Sequence, residues 1–197
     1  MITRREIVAS LAGAWRLAMR DRAGMQFFDA TIDGFWRSFF AGVIAAPGYA
    51  FVVELRLADQ LAPEHSMHAY LVEAVIYVVG WLAFPLAAYY LTGVLDRRRN
   101  YVGYIVAYNW AGVLQMALYV VAAGLAAPGY AFVAELRLDA IVALGATVAV
   151  LFYQFNIARI ALDVGTAPAV GFVTLDFVIS LFLHAAIEAL QRGDFAT

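Results

Sequence analysis

Five stretches of about twenty residues pass through this chain with almost no charge, and no other feature constrains the fold as strongly. A helix needs about 20 apolar residues to cross a hydrocarbon core of about 30 Å, and one water-soluble core could not bury five such runs. The stretches lie at about 35–53, 69–94, 103–125, 140–158 and 168–190. Composition agrees: 64% of the 197 residues are hydrophobic and 14% charged, with mean hydropathy +0.78, where a soluble domain carries roughly 25% charged residues. The expected fold is therefore all-α: an integral membrane five-helix bundle at 35–190, with a cytoplasmic amphipathic segment at 1–34 and an outer C-terminal tail at 191–197.

Two spans carry internal punctuation. Pro47-Gly48 predicts a kink or an early end in the first, and Pro85 lies inside the second. The third uncharged run, Asn100 to Ala134, is too long for one span. Its excess reads either as an interfacial start through Tyr101, Tyr104, Tyr108 and Trp110, or as a re-entrant or surface segment around Pro128-Gly129.

The basic residues give an orientation, because short cytoplasmic loops retain positive charge during insertion. Every basic residue except the histidines is Arg. One side collects Arg4, Arg5, Arg16, Arg20, Arg22, Arg37, Arg97, Arg98, Arg99 and Arg159, and the other only Arg56, Arg137 and Arg192. Ten against three places the N-terminus in the cytoplasm and the C-terminus outside. Arg without Lys, with heavy Ala and Gly use, points to a bacterial source and hence to the bacterial inner membrane, with a periplasmic C-terminus.

A net charge of −2 argues against a nucleic-acid partner. The absence of Cys excludes disulfides, thiolate metal sites and Cys nucleophiles. No H-E-x-x-H, G-x-S-x-G or Walker A sequence is present, so the reading assigns no catalytic, cofactor-binding or metal residue. Glu64, His65 and His68 offer three ligand types at short spacing but read better as a solvated turn.

Before the first span, Arg16 interrupts the apolar stretch that a secretory signal would need. At about 100° per residue, Ile7, Val8, Leu11, Trp15 and Met19 share one arc and Arg5, Arg16, Arg20 and Glu6 the opposite one. Such a helix either lies on the cytoplasmic leaflet or packs against the protein's own cytoplasmic face. Arg16, Arg20, Arg97, Arg98 and Arg99 are the candidates for contact with lipid headgroups or a partner.

Residues 45–57, AAPGYAFVVELRL, recur at 126–138 as AAPGYAFVAELRL. Both copies fall at the outer end of an odd-numbered span. That fits a duplicated two-helix unit, but the abrupt loss of similarity on either side favours recent local copying. Tyr49 and Tyr130 suit an aromatic belt at the interface.

Ionisable groups inside spans cost about 2.5–3.5 kcal/mol at the helix centre, so each is a functional candidate. Asp176 stands midway along the fifth span, with His184 and Glu188 within about 120° of the same face. The line reads either as a proton or cation path, or as one interhelical hydrogen bond plus two residues reaching outer water. Asn109, Gln115, Gln154 and Asn156 are amides suited to bonding between helices. Glu73 lies near the outer interface, where it is expected to snorkel.

The five-span layout with an inner N-terminus, the run from Ile7 to Arg22 followed by Gly34-Phe35-Trp36-Arg37-Ser38-Phe39-Phe40, and Tyr108-Asn109-Trp110 together resemble the bacterial relatives of the Yip1-like integral membrane proteins. The resemblance implies membrane residence without catalysis. Eukaryotic members act in trafficking and contact small GTPases largely through cytosolic N-terminal regions, and this chain's corresponding region is short. The expected function is thus a non-catalytic membrane-organising or partner-binding component, with the lipid bilayer as its surroundings and a membrane protein partner or a homo-oligomer compatible with small residues such as Gly112, Gly124 and Gly145. The alternatives are a small permease or ion channel using the Asp176 face, and an accessory subunit of a larger complex.

Overall fold

A computed structural model describes residues 2–57, 66–126 and 138–192, and every long element among them is helical. The helices are α1 (Arg4–Ala18), α2 (Ile32–Ser38), α3 (Phe40–Leu57), α4 (Ser66–Val94), α5 (Tyr101–Ala126), α6 (Leu138–Ala161) and α7 (Thr166–Arg192). A short 3₁₀ turn, Arg22–Phe27, follows α1. Five helical stretches are long and apolar enough to span a bilayer: Ile32–Leu57, which joins α2 to α3, Met67–Val94, Arg98–Leu125, Ala140–Ala161 and Thr166–Gln191. The protein is a multi-pass membrane protein built as a helical bundle.

Helix ends reach up to four residues beyond the apolar runs, because capping and terminal turns recruit polar residues that hydropathy ignores. Pro47 does not end the first span: α3 continues through it to Leu57. The break falls instead at Phe39, between α2 and α3. In the third run, Tyr101 already begins α5, and Tyr104 and Trp110 are buried in the core. The aromatic start is therefore part of the span. Pro128-Gly129 and the repeat's second copy, up to Arg137, lie outside the described residues, as do Glu64 and His65.

Helix α5 is the hub. Its most apolar window is 39% buried, against 17–28% for the other spans, and α1, α2, α3, α4 and α6 all pack on it. The core around it stacks Phe84 on Tyr108 at 4.4 Å between ring centroids and sets Tyr104 edge-on to Phe172 at 5.3 Å. Outward, Val78, Leu86, Tyr90, Leu144, Phe152 and Phe182 are all at least half exposed, an apolar surface that water would penalise and lipid satisfies.

The turns after α4 and α6 meet at one end. Arg97 Nε donates to the Asp163 carbonyl at 3.4 Å, and the Asn100 amide donates to the Ala161 carbonyl at 3.3 Å. Asp96 and Asp163 close these two helices in the left-handed region, with φ of 54° and 52°. That conformation normally favours Gly.

Helix α1 folds back onto the bundle. Its buried face is Ser10, Gly13, Ala14 and Leu17, and Tyr153 of α6 donates to the Ala14 carbonyl at 2.6 Å. Gly13 and Gly24 make the close approach: a Cβ on Gly24 would stand 2.7 Å from the Gly13 carbonyl oxygen. Arg37 then clamps the segment, donating to Glu6 at 2.8 Å and to Asp29 at 2.5 Å. The Asp29 carboxyl is held below the usual carboxylate range by the Thr31 hydroxyl and backbone and by Arg37. The Asp21 carboxyl is lowered by the Ala23 N–H and by Arg16.

Candidate functional site

Two buried carboxylates and one groove stand out among the described residues. The first carboxylate is Asp176, 8% exposed, carried inward by α7. Tyr108 of α5 donates to its Oδ1 at 2.6 Å, and Gln154 of α6 is a second side-chain partner. Gln154 also donates to Gln115 at 3.5 Å. Three helices thus meet at one polar cluster at mid-span. The remaining amide atoms, Gln115 Nε2 and Gln154 Oε1, are buried without a hydrogen-bond partner.

The line along α7 does not continue inward. His184 and Glu188 are exposed and bond each other at 3.4 Å. A rotation of 80–120° along the helix suffices to carry a side chain from the bundle seam to its outer surface. The other amides go elsewhere: Asn109 donates to Ser38 at 2.8 Å, tying α5 to α2, and Asn156 donates to the Phe152 carbonyl one turn back. Of the in-span candidates Asp176, His184, Glu188 and the four amides, then, Asp176, Gln115 and Gln154 meet in one cluster.

The second carboxylate, Glu73, corrects the expectation of snorkelling. It is 2% exposed and points into the protein. Tyr49 donates to its Oε2 at 2.6 Å, Gln191 donates to Oε1 at 3.1 Å, and Arg56 forms an ion pair with Oε1. Glu73 is held inward because Arg56, itself a third exposed, reaches it within the protein. Tyr49 likewise is not an outward belt residue: its ring lies 4.5 Å from that of Tyr77 and its hydroxyl serves Glu73. A signal for this cluster existed in the sequence. Tyr49 and Arg56 are seven residues apart on one face of a helix, and Glu73 is the one acid inside the second apolar run.

Beside this cluster, α3 and α4 diverge around a groove of about 830 Å³. Gly42, Ala46 and Ala50 form its α3 wall, and Tyr77 and Trp81 of α4 face them. Side chains bridge it: Tyr77 donates to the Gly42 carbonyl at 2.7 Å, and Tyr70 donates to Glu54.

The arginine candidates are largely committed within the molecule. Arg16 pairs with Asp21 at 2.6 Å and lies over Phe27, and Arg20 lies over Phe152. Arg97 binds the Asp163 carbonyl, and Arg98 donates to the Tyr89 hydroxyl at 2.7 Å while stacking on its ring. Arg99 is exposed. Of the small residues, Gly112 faces Trp81, while a Cβ at Gly124 or Gly145 would meet nothing within 4 Å. Among the described residues no group of three metal-ligating side chains converges.

No family model matches the sequence, and searches of curated proteins and of solved structures likewise returned no match.

Proposed function

We propose that this chain is a non-catalytic membrane-organising or partner-binding component of Yip1-like type, resident in the bacterial inner membrane with its N-terminus cytoplasmic and its C-terminus periplasmic. The observation that carries this reading is the placement of α1. The helix docks on the bundle through Ser10, Gly13, Ala14 and Leu17, while Val8, Ala12, Trp15 and Met19 are exposed along one stripe. At about 100° per residue that stripe is centred opposite the buried face. The apolar arc is thus left for lipid or a partner, and a fold-anchored amphipathic helix inserted in one leaflet is a device for organising a membrane. The clustering of the Arg-bearing turns after α4 and α6 at one end supports the cytoplasmic assignment.

The test is reconstitution into vesicles, with wild-type chain and a Val8→Glu/Met19→Glu variant compared by electron microscopy. The wild type should change vesicle size or shape and the variant should not, with the helical content of the two equal. A variant as active as the wild type sinks the reading. Single cysteines at Arg98 and Thr197, probed with a membrane-impermeant thiol reagent, should react from opposite sides.

A permease is the second reading, and the convergence of Tyr108 and Gln154 on Asp176 favours it. Its test is Asp176→Cys: reaction with the impermeant reagent means that water reaches the middle of the bundle and makes transport the better reading.

A further inference from the structure

Helix α1 is seated along the spans rather than across their ends. Counted from the end where the turns after α4 and α6 meet, Tyr153 and Phe152 stand eight and nine residues in from Ala161, about 12–14 Å along α6. Tyr153 holds the Ala14 carbonyl, and the Arg20 guanidinium lies 5.7 Å from the centre of the Phe152 ring. Trp15 and Ala18 share a crevice of about 350 Å³ with Gln115 and Val150, and Gln115 belongs to the mid-span cluster around Asp176. The chain then returns. Gly24 packs back on Gly13, and Met25 reaches Gly103, two residues into α5. The N-terminal segment is thus a re-entrant hairpin whose turn stands near the depth of the cluster.

That turn carries charge. Arg16 and Asp21 neutralise each other at 2.6 Å, whereas Arg20 and Arg22 are exposed and in no ion pair among the described residues. On α4, which packs on α5 and α7, the corresponding depth is apolar. Leu86, eight residues and about 12 Å in from Val94, is exposed, and so are Tyr90 and Val94 beyond it. Hydrocarbon therefore suits α4 almost to its end, while two uncompensated guanidinium groups lie equally deep beside α6. Charge at that depth is costly, and a bilayer relieves the cost by thinning and admitting water; thinning by a few ångströms costs little beside it. Phosphate is the lipid group that guanidinium N–H donors match.

We propose that this hairpin draws the phosphate layer and water of its leaflet down to Arg20 and Arg22, thinning the bilayer beside α1, α5 and α6 while the α4 flank keeps its full thickness. The inference rests on the membrane-organising reading, to which it gives a physical action, and its test reads depth rather than vesicle shape, so that either can fail alone.

The chain has no Cys, so Met19→Cys and Leu86→Cys each carry one fluorophore. The labelled chains are reconstituted in phosphatidylcholine vesicles doped with lipid bearing a nitroxide either on its headgroup or at mid-chain. The headgroup nitroxide should quench the Met19→Cys label more than the mid-chain one does, and the order should reverse at Leu86→Cys, although both positions lie about equally far in along the helices. Adding Arg20→Leu/Arg22→Leu to Met19→Cys should reverse the order there too, and adding Arg20→Lys/Arg22→Lys should preserve it. Stronger mid-chain quenching of the Met19→Cys label places the hairpin in undisturbed hydrocarbon. Stronger headgroup quenching at Leu86→Cys means that the spans stand clear of the membrane on both flanks. An unchanged order in the leucine pair means that the arginines draw nothing down. Each of these results overturns the proposal.

Discussion

Glu73 and Asp176 are both carboxylates buried within transmembrane helices, 2% and 8% exposed, and the bundle accommodates them by different means. Glu73 sits near one end of its span and is met by a guanidinium, a phenol and an amide from two other helices. Asp176 sits at mid-span, and its partners are the neutral groups of Tyr108 and Gln154. The difference follows from depth. Near the polar boundary a long Arg side chain can lie partly in the protein while a third of it remains exposed, whereas at mid-span a second charge would add its own transfer cost. Glu73 is therefore bound to a partner whose loss strands a charge. Asp176 belongs to a hydrogen-bond network that survives neutralisation of the acid.

The largest expected effect breaks the first arrangement. Arg56→Leu leaves Glu73 buried without its cation and should cost about 3 kcal/mol, the low end of the range for an opened buried pair, since Arg56 is itself partly exposed. Adding Glu73→Leu should recover most of that loss, because the stranded charge is gone. Unfolding titrations in mixed detergent micelles measure both variants. If Arg56→Leu is as stable as wild type, the contrast between the two carboxylates is wrong.

Next in size is Tyr108→Phe, which removes the hydroxyl donor to Asp176. Hydrogen bonds between membrane helices average about 0.6 kcal/mol and reach about 1.7 kcal/mol. A loss within that range, measured by the same titration, marks the network as ordinary interhelical glue. A loss as large as that of Arg56→Leu would mean that Asp176 is ionised and depends on Tyr108 as Glu73 depends on Arg56, erasing the distinction.

These two sites also separate what a sequence can disclose from what it cannot. The five helices were legible because span length is a property of each run alone, and Asp176 was legible because a lone acid at the centre of a run needs no partner to be noticed. The Glu73 cluster was hidden: its members come from α3, α4 and α7, and only the spacing of Tyr49 and Arg56 hinted that they share a face. Of the α1 arc, Val8, Trp15 and Met19 are exposed while Ile7 and Leu11 pack against the core, so the helix divides between the two placements its pattern allowed. Interior packing selected the small side chains of Ser10, Gly13 and Ala14, which let backbones approach closely, together with Leu17, and Val8, Trp15 and Met19 were left outward. The groove depends on how two helices diverge, and hydropathy carries no information about that angle.

The smallest expected effect sharpens the comparison most. Asp176→Asn removes the charge but keeps an acceptor oxygen for the Tyr108 hydroxyl, so stability should change by no more than about 0.6 kcal/mol, the mean value of one such bond. Glu73→Gln is the matched change at the other site. There the amide retains an acceptor for Tyr49, but Arg56 loses its counter-charge, so this variant should fall by more than Asp176→Asn and should be partly rescued by adding Arg56→Leu. Equal losses for the two amides would place both carboxylates in the same class, each held by hydrogen bonds alone. A larger loss at Asp176 would require a cation or a charged group at mid-span and would shift the weight of interpretation from scaffold to transport.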